Sequence, residues 1–515
     1  MVGEKPVKNR ISARLVCAIA SVAFVISICA ISLPTSIDEF KTEPEVRIGI
    51  IQKASSARLK FAGSCRIHKS GVAEPIRTGS GETIQAELYT VRLKQMPTRF
   101  RVSLGQFRSF EQAEFTLKSI GAKPGEAVIA QPKQWSIWHG PYNTLADAQQ
   151  KLEQLQAKGY MNARIEPESS DIPVLTLYAP DGSLIHLGSE PVSFYPSDGK
   201  FIVNGREYRG NVEVALDAYG SFSVINRVKV EDYLFSVLPR EMPALSHPEA
   251  LKAQAIIARS YLLKNLHRHK IDGFNLCSTT DCQVYGGIGD EAPTAIDAVR
   301  QTRGMALSNA GQIVNALFHS TCGGRTAAYT DVWHGDDLPY LISVDDGTSM
   351  KDKDLSSRDK VMKFLDLNSA NCHSSKYFRW DKSYTHEQLL SLLKLTIPEF
   401  TNNPELKINE LRSVSVLSYS KSGRAQQLKI STDVGDFIFD KDTIRWVLGS
   451  LKSTMFIIDS EGKGNSRRYD IKGAGWGHGL GLCQIGAMKM ARDGVVYDKI
   501  LAQYYPGSKI VKLWK

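Results

Sequence analysis

The chain has 515 residues, 42% of them hydrophobic, and carries a formal charge of +10 from 64 Lys and Arg against 54 Asp and Glu. That composition excludes a disordered chain, and the length accommodates two to four domains. The basic balance favours anionic partners such as wall polymers or membrane surfaces, while the absence of a basic run or zinc-finger spacing gives no sign of nucleic acid as a partner.

Lys5, Lys8, Arg10 and Arg14 precede an uncharged stretch from Leu15 to Leu33. A bilayer-spanning helix needs about 20 apolar residues and a cleaved signal only about 7–15, so residues 1–34 are expected to form an N-terminal membrane helix or signal anchor. Ala30-Ile-Ser32 keeps a cleaved signal peptide as the alternative. In both cases the remainder lies outside the cytoplasm, in the cell envelope.

Residues 35–94 read as a polar tether followed by a β-rich segment. Val46-Arg-Ile-Gly-Ile-Ile51, Ala57-Arg-Leu-Lys-Phe61 and Thr83 to Arg92 alternate as strands do. Between 95 and 170 two similar units follow. Each runs strand, Gly-x-aromatic turn, amphipathic helix, with Leu104-Gly-Gln-Phe107 in the first and His139-Gly-Pro-Tyr142 in the second. Gly159 to Ile165 closes the second unit with a further strand. This pair resembles a SPOR-like domain, which implies a small ferredoxin-like α/β fold and binding to peptidoglycan glycan strands stripped of peptide; a generic ferredoxin-like spacer is the alternative. Trp138 and Tyr142 are its candidate sugar-facing aromatics.

From 171 to 515 a mixed, β-rich catalytic domain is expected, with the 46–92 strands as candidates to fold against it, so the class of the whole is α+β. Short strands from Val174 to Asn226 lead to Val237-Leu-Pro-Arg-Glu-Met-Pro243, where prolines on both sides of Glu241 are expected to hold a stiff turn. Ser246-His-Pro-Glu249 reads as a capping box, and Ala250 to Leu266 as a helix so apolar that it must be the central buried one. Lys252 and Arg259 stand seven apart on one stripe of it. A carboxylate on a rigid turn beside two cations could bind a polar substrate and protonate it; surface ion pairing is the plainer alternative.

Cys277 and Cys282 lie five apart, shortly after His267 and His269. Outside the cytoplasm a disulfide is the default for such a pair, and a structural zinc the sharper alternative, because thiolates and imidazoles suit that ion. Further on, Gly473-Ala-Gly-Trp-Gly-His-Gly-Leu-Gly481 is dense in glycine, as a backbone that takes unusual dihedrals or approaches a ligand closely requires; a tight turn capping a helix from Gln484 to Arg492 is the plainer alternative.

The stretch Val230-Glu-Asp-Tyr-Leu-Phe-Ser-Val-Leu-Pro-Arg-Glu-Met-Pro243 with Glu249 to Tyr261 resembles the stage II sporulation protein D (SpoIID/LytB) family. So do Cys282-Gln-Val-Tyr-Gly286, Phe318-His-Ser-Thr-Cys-Gly-Gly-Arg-Thr326, Gly473 to Ala487 and Tyr504-Tyr-Pro-Gly507, in order over about 300 residues. The resemblance implies a peptidoglycan lytic transglycosylase, with Glu241 as acid and base and no cofactor required. Within it, Lys252, Arg259, Tyr285, His478 and Gln484 are the expected substrate contacts, and Cys322 and Cys372 a disulfide pair. Some family members carry zinc at the Cys277/Cys282 position, but Asp281 stands here where a histidine ligand would be expected. Two rivals remain from other classes: a non-catalytic enhancer of a cell-wall amidase, as the LytB branch is described, and a zinc hydrolase centred on Cys277 and Cys282.

Overall fold

The computed structural model describes residues 36–515 apart from 71, 73, 82, 93–98, 169–170, 349–352 and 402. The expected membrane segment, 1–34, lies outside the described residues; among these, no helix is long and apolar enough to cross a membrane.

Two sheets build the main body. The larger has seven strands in the order Leu276–Cys277, Glu45–Ala54, Phe222–Lys229, Asn211–Leu216, Val192–Pro196, Ser64–Lys69 and Arg77–Ser80. The second has six, in the order Leu184–Gly188, Asp171–Tyr178, Thr83–Arg92, Ser56–Lys60, Lys200–Val203 and Arg206–Arg209. Both interleave strands from before residue 93 with strands from after 170. The β-rich segment before 93 is therefore not a unit of its own but part of the same body as the strands beyond 170, with the 100–167 unit inserted between them. Glu45–Ala54 pairs antiparallel with Phe222–Lys229, from Glu45 opposite Lys229 to Ala54 opposite Phe222, and its Val46 and Ile48 are buried in the core beneath. A strand segment by itself leaves its amides unpaired and its apolar face wet, so the two pieces complete each other.

The predicted central helix is Pro248–Lys264, and its residues from Ala253 to Leu263 are all buried. It joins a single core that also takes in Val46, Phe194, Val224 and Tyr504. Helix formers without β-branching predominate in it, and alanines at 250, 253, 255 and 258 let neighbouring elements pack close. Its start differs from the expected capping box. His247 is the N-cap, its Nδ1 accepting the Glu249 N–H at 3.3 Å, whereas Ser246 turns to the Met488 sulfur and Glu249 to Lys252.

Residues 100–167 form a separate unit in the order strand, helix, strand, strand, helix, strand. Its antiparallel sheet runs Ala127–Ala130, Trp135–Tyr142, Phe100–Phe107, Arg164–Pro167. The two Gly-x-aromatic segments are not turns. Both lie inside long paired strands, Phe107 opposite Trp135 and Tyr142 opposite Phe100, with register shifts that absorb the glycine conformations. The strand Ala127–Ala130 had no signal of its own beyond four small or apolar residues. The unit docks on the loop after the central helix: Glu111 accepts from Arg268 at 2.7 Å, and the Trp135 ring lies 5.0 Å from that of His269.

The region from 171 to 515, read as one domain, contains a second core. Trp380, Leu389, Leu393, Leu428, Ile430, Phe456 and Tyr469 close a cluster of their own. Around it stand the His386–Phe400 helix and two three-stranded sheets, Trp380–Thr385 with Arg468–Gly473 and Phe456–Glu461, and Leu411–Tyr419 with Ala425–Thr432 and Gly435–Asp440.

Candidate functional site

Glu241 is the last residue of a helix, Val230–Glu241, and not part of a proline-bounded turn. Glu231 and Asp232 open that helix, where acidic groups complement the helix dipole. Pro239 sits within its final turn instead of ending it. The second proline acts as expected: Met242, immediately before Pro243, is extended (φ −136°, ψ 134°). The chain thus leaves the helix directly after Glu241 and is held at both ends of that residue. The Gln484 amide donates to the Glu241 carbonyl at 2.8 Å, and the Val284 N–H donates to the carboxyl Oε1 at 3.3 Å.

The Glu241 side chain is half-buried. Burial pushes its carboxyl up to about 6, against the opposing pull of the Val284 N–H. Among the described residues no ion pair holds it, because the adjacent Arg240 binds Asp290 at 2.9 Å. A carboxyl in this state is protonated often enough near neutral pH to give a proton and can take one back.

Of the expected substrate contacts, the structure brings Gln484 to Glu241 and sends the others elsewhere. Lys252 is half-buried and binds Glu249 at 2.8 Å. Arg259 is 0% exposed and forms a two-pronged pair with Glu231, at 2.6 and 3.1 Å. It also donates to the Met305 carbonyl at 2.8 Å, while Glu231 accepts from the Gly304 N–H and the Trp514 indole. Tyr285 is likewise in the core, donating to Asn226 at 2.7 Å and packed against Tyr233. The expectation that Arg259 and Tyr285 touch substrate is corrected by their burial. The helical stripe was read properly, but a stripe does not show whether it faces water or a partner carboxylate 28 residues away.

The glycine-dense segment packs backbone against backbone. Gly475, Gly477, Gly479 and Gly481 all have positive φ, and a Cβ on Gly481 would stand 2.0 Å from the Leu317 carbonyl oxygen. His478 is half-buried, its Nδ1 accepting the Leu480 N–H at 3.0 Å, with the rings of Trp333 and His319 at 5.5 and 5.7 Å. Burial pulls His478 down to about 4 and His319 down to about 3, so both imidazoles are neutral at physiological pH. One feature was missed. Trp476 is 41% exposed, with the Tyr377 ring at 4.4 Å and the Lys452 ammonium 5.2 Å from its own. The tryptophan was visible in the motif, but its partners come from segments 99 and 24 residues earlier.

Near the docked unit, donor atoms of His269, Cys277 and Cys282 lie within 4.8 Å of one another. Both cysteines are free thiols. His269 Nδ1 is bound to Asp272 at 2.7 Å, and its Nε2 makes no hydrogen bond. Two thiols and an imidazole steadied by a carboxylate are a donor set that fits zinc. Asp281 does not complete it, since this side chain accepts from Gln131 of the docked unit at 2.9 Å; His267 is turned to Glu114. Cys322 and Cys372, expected to bridge, are free thiols with their sulfurs 3.6 Å apart.

A family model described as stage II sporulation protein matches residues 218–308, the stretch containing Glu241 and the central helix. A second, described as a domain of unknown function, matches 327–481, which encloses the second core. Among relatives, an amidase enhancer of Bacillus subtilis is 30% identical over 344 residues, covering 61% of this chain and 46% of that protein. The chain thus spans about half the length of that relative. An uncharacterized protein of Brachyspira hyodysenteriae is 30% identical over 62% of this chain and 77% of its own length, and stage II sporulation protein D of Bacillus subtilis is 27% identical over 56% and 75%. By the matched segment around Glu241 and these relatives, the chain belongs to the stage II sporulation protein (SpoIID) family.

Proposed function

We propose that the protein is a peptidoglycan lytic transglycosylase that cleaves the MurNAc–GlcNAc bond of wall glycan strands and leaves 1,6-anhydro ends. The observation that carries this reading is Glu241: a half-buried carboxyl raised to about 6, free of ion pairs among the described residues and fixed at its backbone by Gln484. Ordinary glycosidases need a second carboxylate to activate water or to attack. Here the sugar's own 6-hydroxyl attacks the anomeric carbon. Glu241 protonates the departing glycosidic oxygen and then accepts the proton of that hydroxyl, so one group suffices.

Loss of the acidic form sets the pH dependence. Activity (kcat/KM) is expected to be flat below about pH 5 and to fall by about tenfold per unit above about pH 7, since the acid of a group near 6 is depleted at that rate. A profile measured on purified glycan strands that stays level to pH 9 contradicts the assignment. Trp476, with Tyr377 beside it, offers an exposed aromatic face suited to a sugar ring. Trp476→Ala is expected to raise KM several-fold with kcat unchanged; equal loss in both would place it elsewhere in the mechanism.

The name of one relative, amidase enhancer, favours a second reading in which the domain binds glycan and presents it to a cell-wall amidase. Mass analysis of digested strands separates the two, because anhydro-ended fragments require cleavage and an unaltered strand supports presentation. The remaining roles follow from place. The N-terminal segment anchors or exports the chain to the envelope. The 100–167 unit has ferredoxin-like strand order, which supports a SPOR-like grip on stripped glycan, although Trp138 is covered by Arg101 and Tyr219 and offers no sugar platform. Zinc at His269, Cys277 and Cys282 would be structural, tying the loop after the central helix to the strand Leu276–Cys277.

A further inference from the structure

A different cluster lies behind the glycine-dense segment. Ligand atoms of Cys322, Asp346, Cys372 and Cys483 are all within 4.8 Å of one another, and all four residues are buried. Cys322 Sγ is 3.6 Å from Cys372 Sγ and 3.1 Å from Asp346 Oδ2. Two sulfurs bound tetrahedrally at about 2.3 Å from a common zinc stand about 3.8 Å apart, whereas a disulfide joins them at about 2.05 Å. The observed separation matches the first. We propose that Cys322, Asp346, Cys372 and Cys483 form a second binding site in this chain, for a thiophilic divalent cation of the zinc class.

Backbone amides are aimed at two of the sulfurs. The Cys322 N–H donates to Cys483 Sγ at 3.2 Å and the Gly324 N–H to Cys322 Sγ at 3.3 Å, bonds that favour the charged sulfur. Cys322-Gly-Gly324 can make this turn because Gly323 and Gly324 have φ of +76° and +109°, and a Cβ on Gly323 would meet that of Ala474 at 2.7 Å. The other oxygen of Asp346 is occupied by Tyr504 at 2.6 Å and Asn371 at 3.3 Å, which leaves Oδ2 directed at the sulfurs. Such outer hydrogen bonds orient a ligating carboxylate. Gly486 makes room for this, since a Cβ there would stand 2.3 Å from the Tyr504 hydroxyl.

Charge balances as well. Three thiolates and a carboxylate around a divalent cation leave two negative charges. Two guanidiniums lie against the same turn: Arg424 donates to the Cys322 carbonyl at 3.5 Å and Arg379 to the Gly323 carbonyl at 2.9 Å. Neither is in an ion pair among the described residues. A bridge between two of the cysteines would instead leave a third thiol and a carboxylate sealed together with no common partner. With four protein ligands the site is closed, hence structural. It ties together segments around 322, 346, 372 and 483, and Cys483 immediately precedes Gln484, the residue that holds the Glu241 carbonyl.

The test uses the full chain with Cys277→Ser and Cys282→Ser, which disables the first thiol cluster. Elemental analysis is expected to find one zinc per chain, and cobalt exchange to give an intense thiolate-to-metal band with tetrahedral visible bands. Adding Cys483→Ser and Asp346→Asn is expected to abolish both signals. Absence of metal and of the cobalt spectrum from the first variant overturns the proposal. Should that variant fail to fold, the wild-type chain decides: it is denatured in chelator without reductant, and its thiols are alkylated and mapped. Alkylation of Cys322, Cys372 and Cys483 together with a zinc content of two per chain supports the site. A Cys322–Cys372 peptide pair found joined, or a chain without zinc, overturns it.

Discussion

Replacing Glu241 with Gln is expected to slow cleavage of purified glycan strands by about 10²- to 10⁴-fold, the usual contribution of a positioned general acid, and to leave the fold intact. The amide is nearly the same shape, keeps an oxygen for the Val284 N–H and does not touch the Gln484 bond, which runs to the backbone. No charged partner is orphaned, because Arg240 is already engaged by Asp290. Neutralising a half-buried carboxyl also removes its desolvation cost, so thermal stability at neutral pH should hold or rise slightly. The measurement is release of anhydro-ended fragments by E241Q beside a melting curve. Wild-type turnover by a folded variant would sink the assignment.

Glu231→Ala is expected to cost stability on the scale of breaking a buried ion pair, about 3–5 kcal/mol. The glutamate serves three partners, the Arg259 guanidinium, the Gly304 N–H and the Trp514 indole, and its loss leaves a fully buried cation unpaired. Urea unfolding of the two chains reads the difference directly. The double variant Glu231→Leu, Arg259→Met should recover much of the loss, because well-packed apolar residues often replace a buried pair at little cost. A change below about 1 kcal/mol in the single variant would mean that water reaches Arg259.

The same pair shows where sequence reading stops. Val237 to Lys264 was legible in outline: a long helix apolar on every side must be buried, and a carboxylate just before it is the conspicuous polar group. Pro239 does not bound a turn as expected: it sits inside the helix, where it lacks the N–H that would bond the preceding turn, and the helix ends two residues later. Arg259 was misjudged because its stem and head look the same in sequence whether the head reaches solvent or Glu231. The second core around Trp380, Leu389 and Tyr469 went unseen, since its strands alternate just as those of the main body do.

By itself the sequence determined what local chemistry can determine: strand alternation, the central helix, the glycines at positive φ from 475 to 481 and the prominence of Glu241. Only the tertiary structure decided which of these meet. It put residues 45–92 into sheets with strands beyond 170, joined Gln484 to Glu241 across 243 positions, and gathered four buried ligand atoms from positions 322 to 483. The reason is that periodicity and propensity act over a few residues, whereas burial, pairing and the proton affinity of a carboxyl depend on groups that the chain brings close only when it folds.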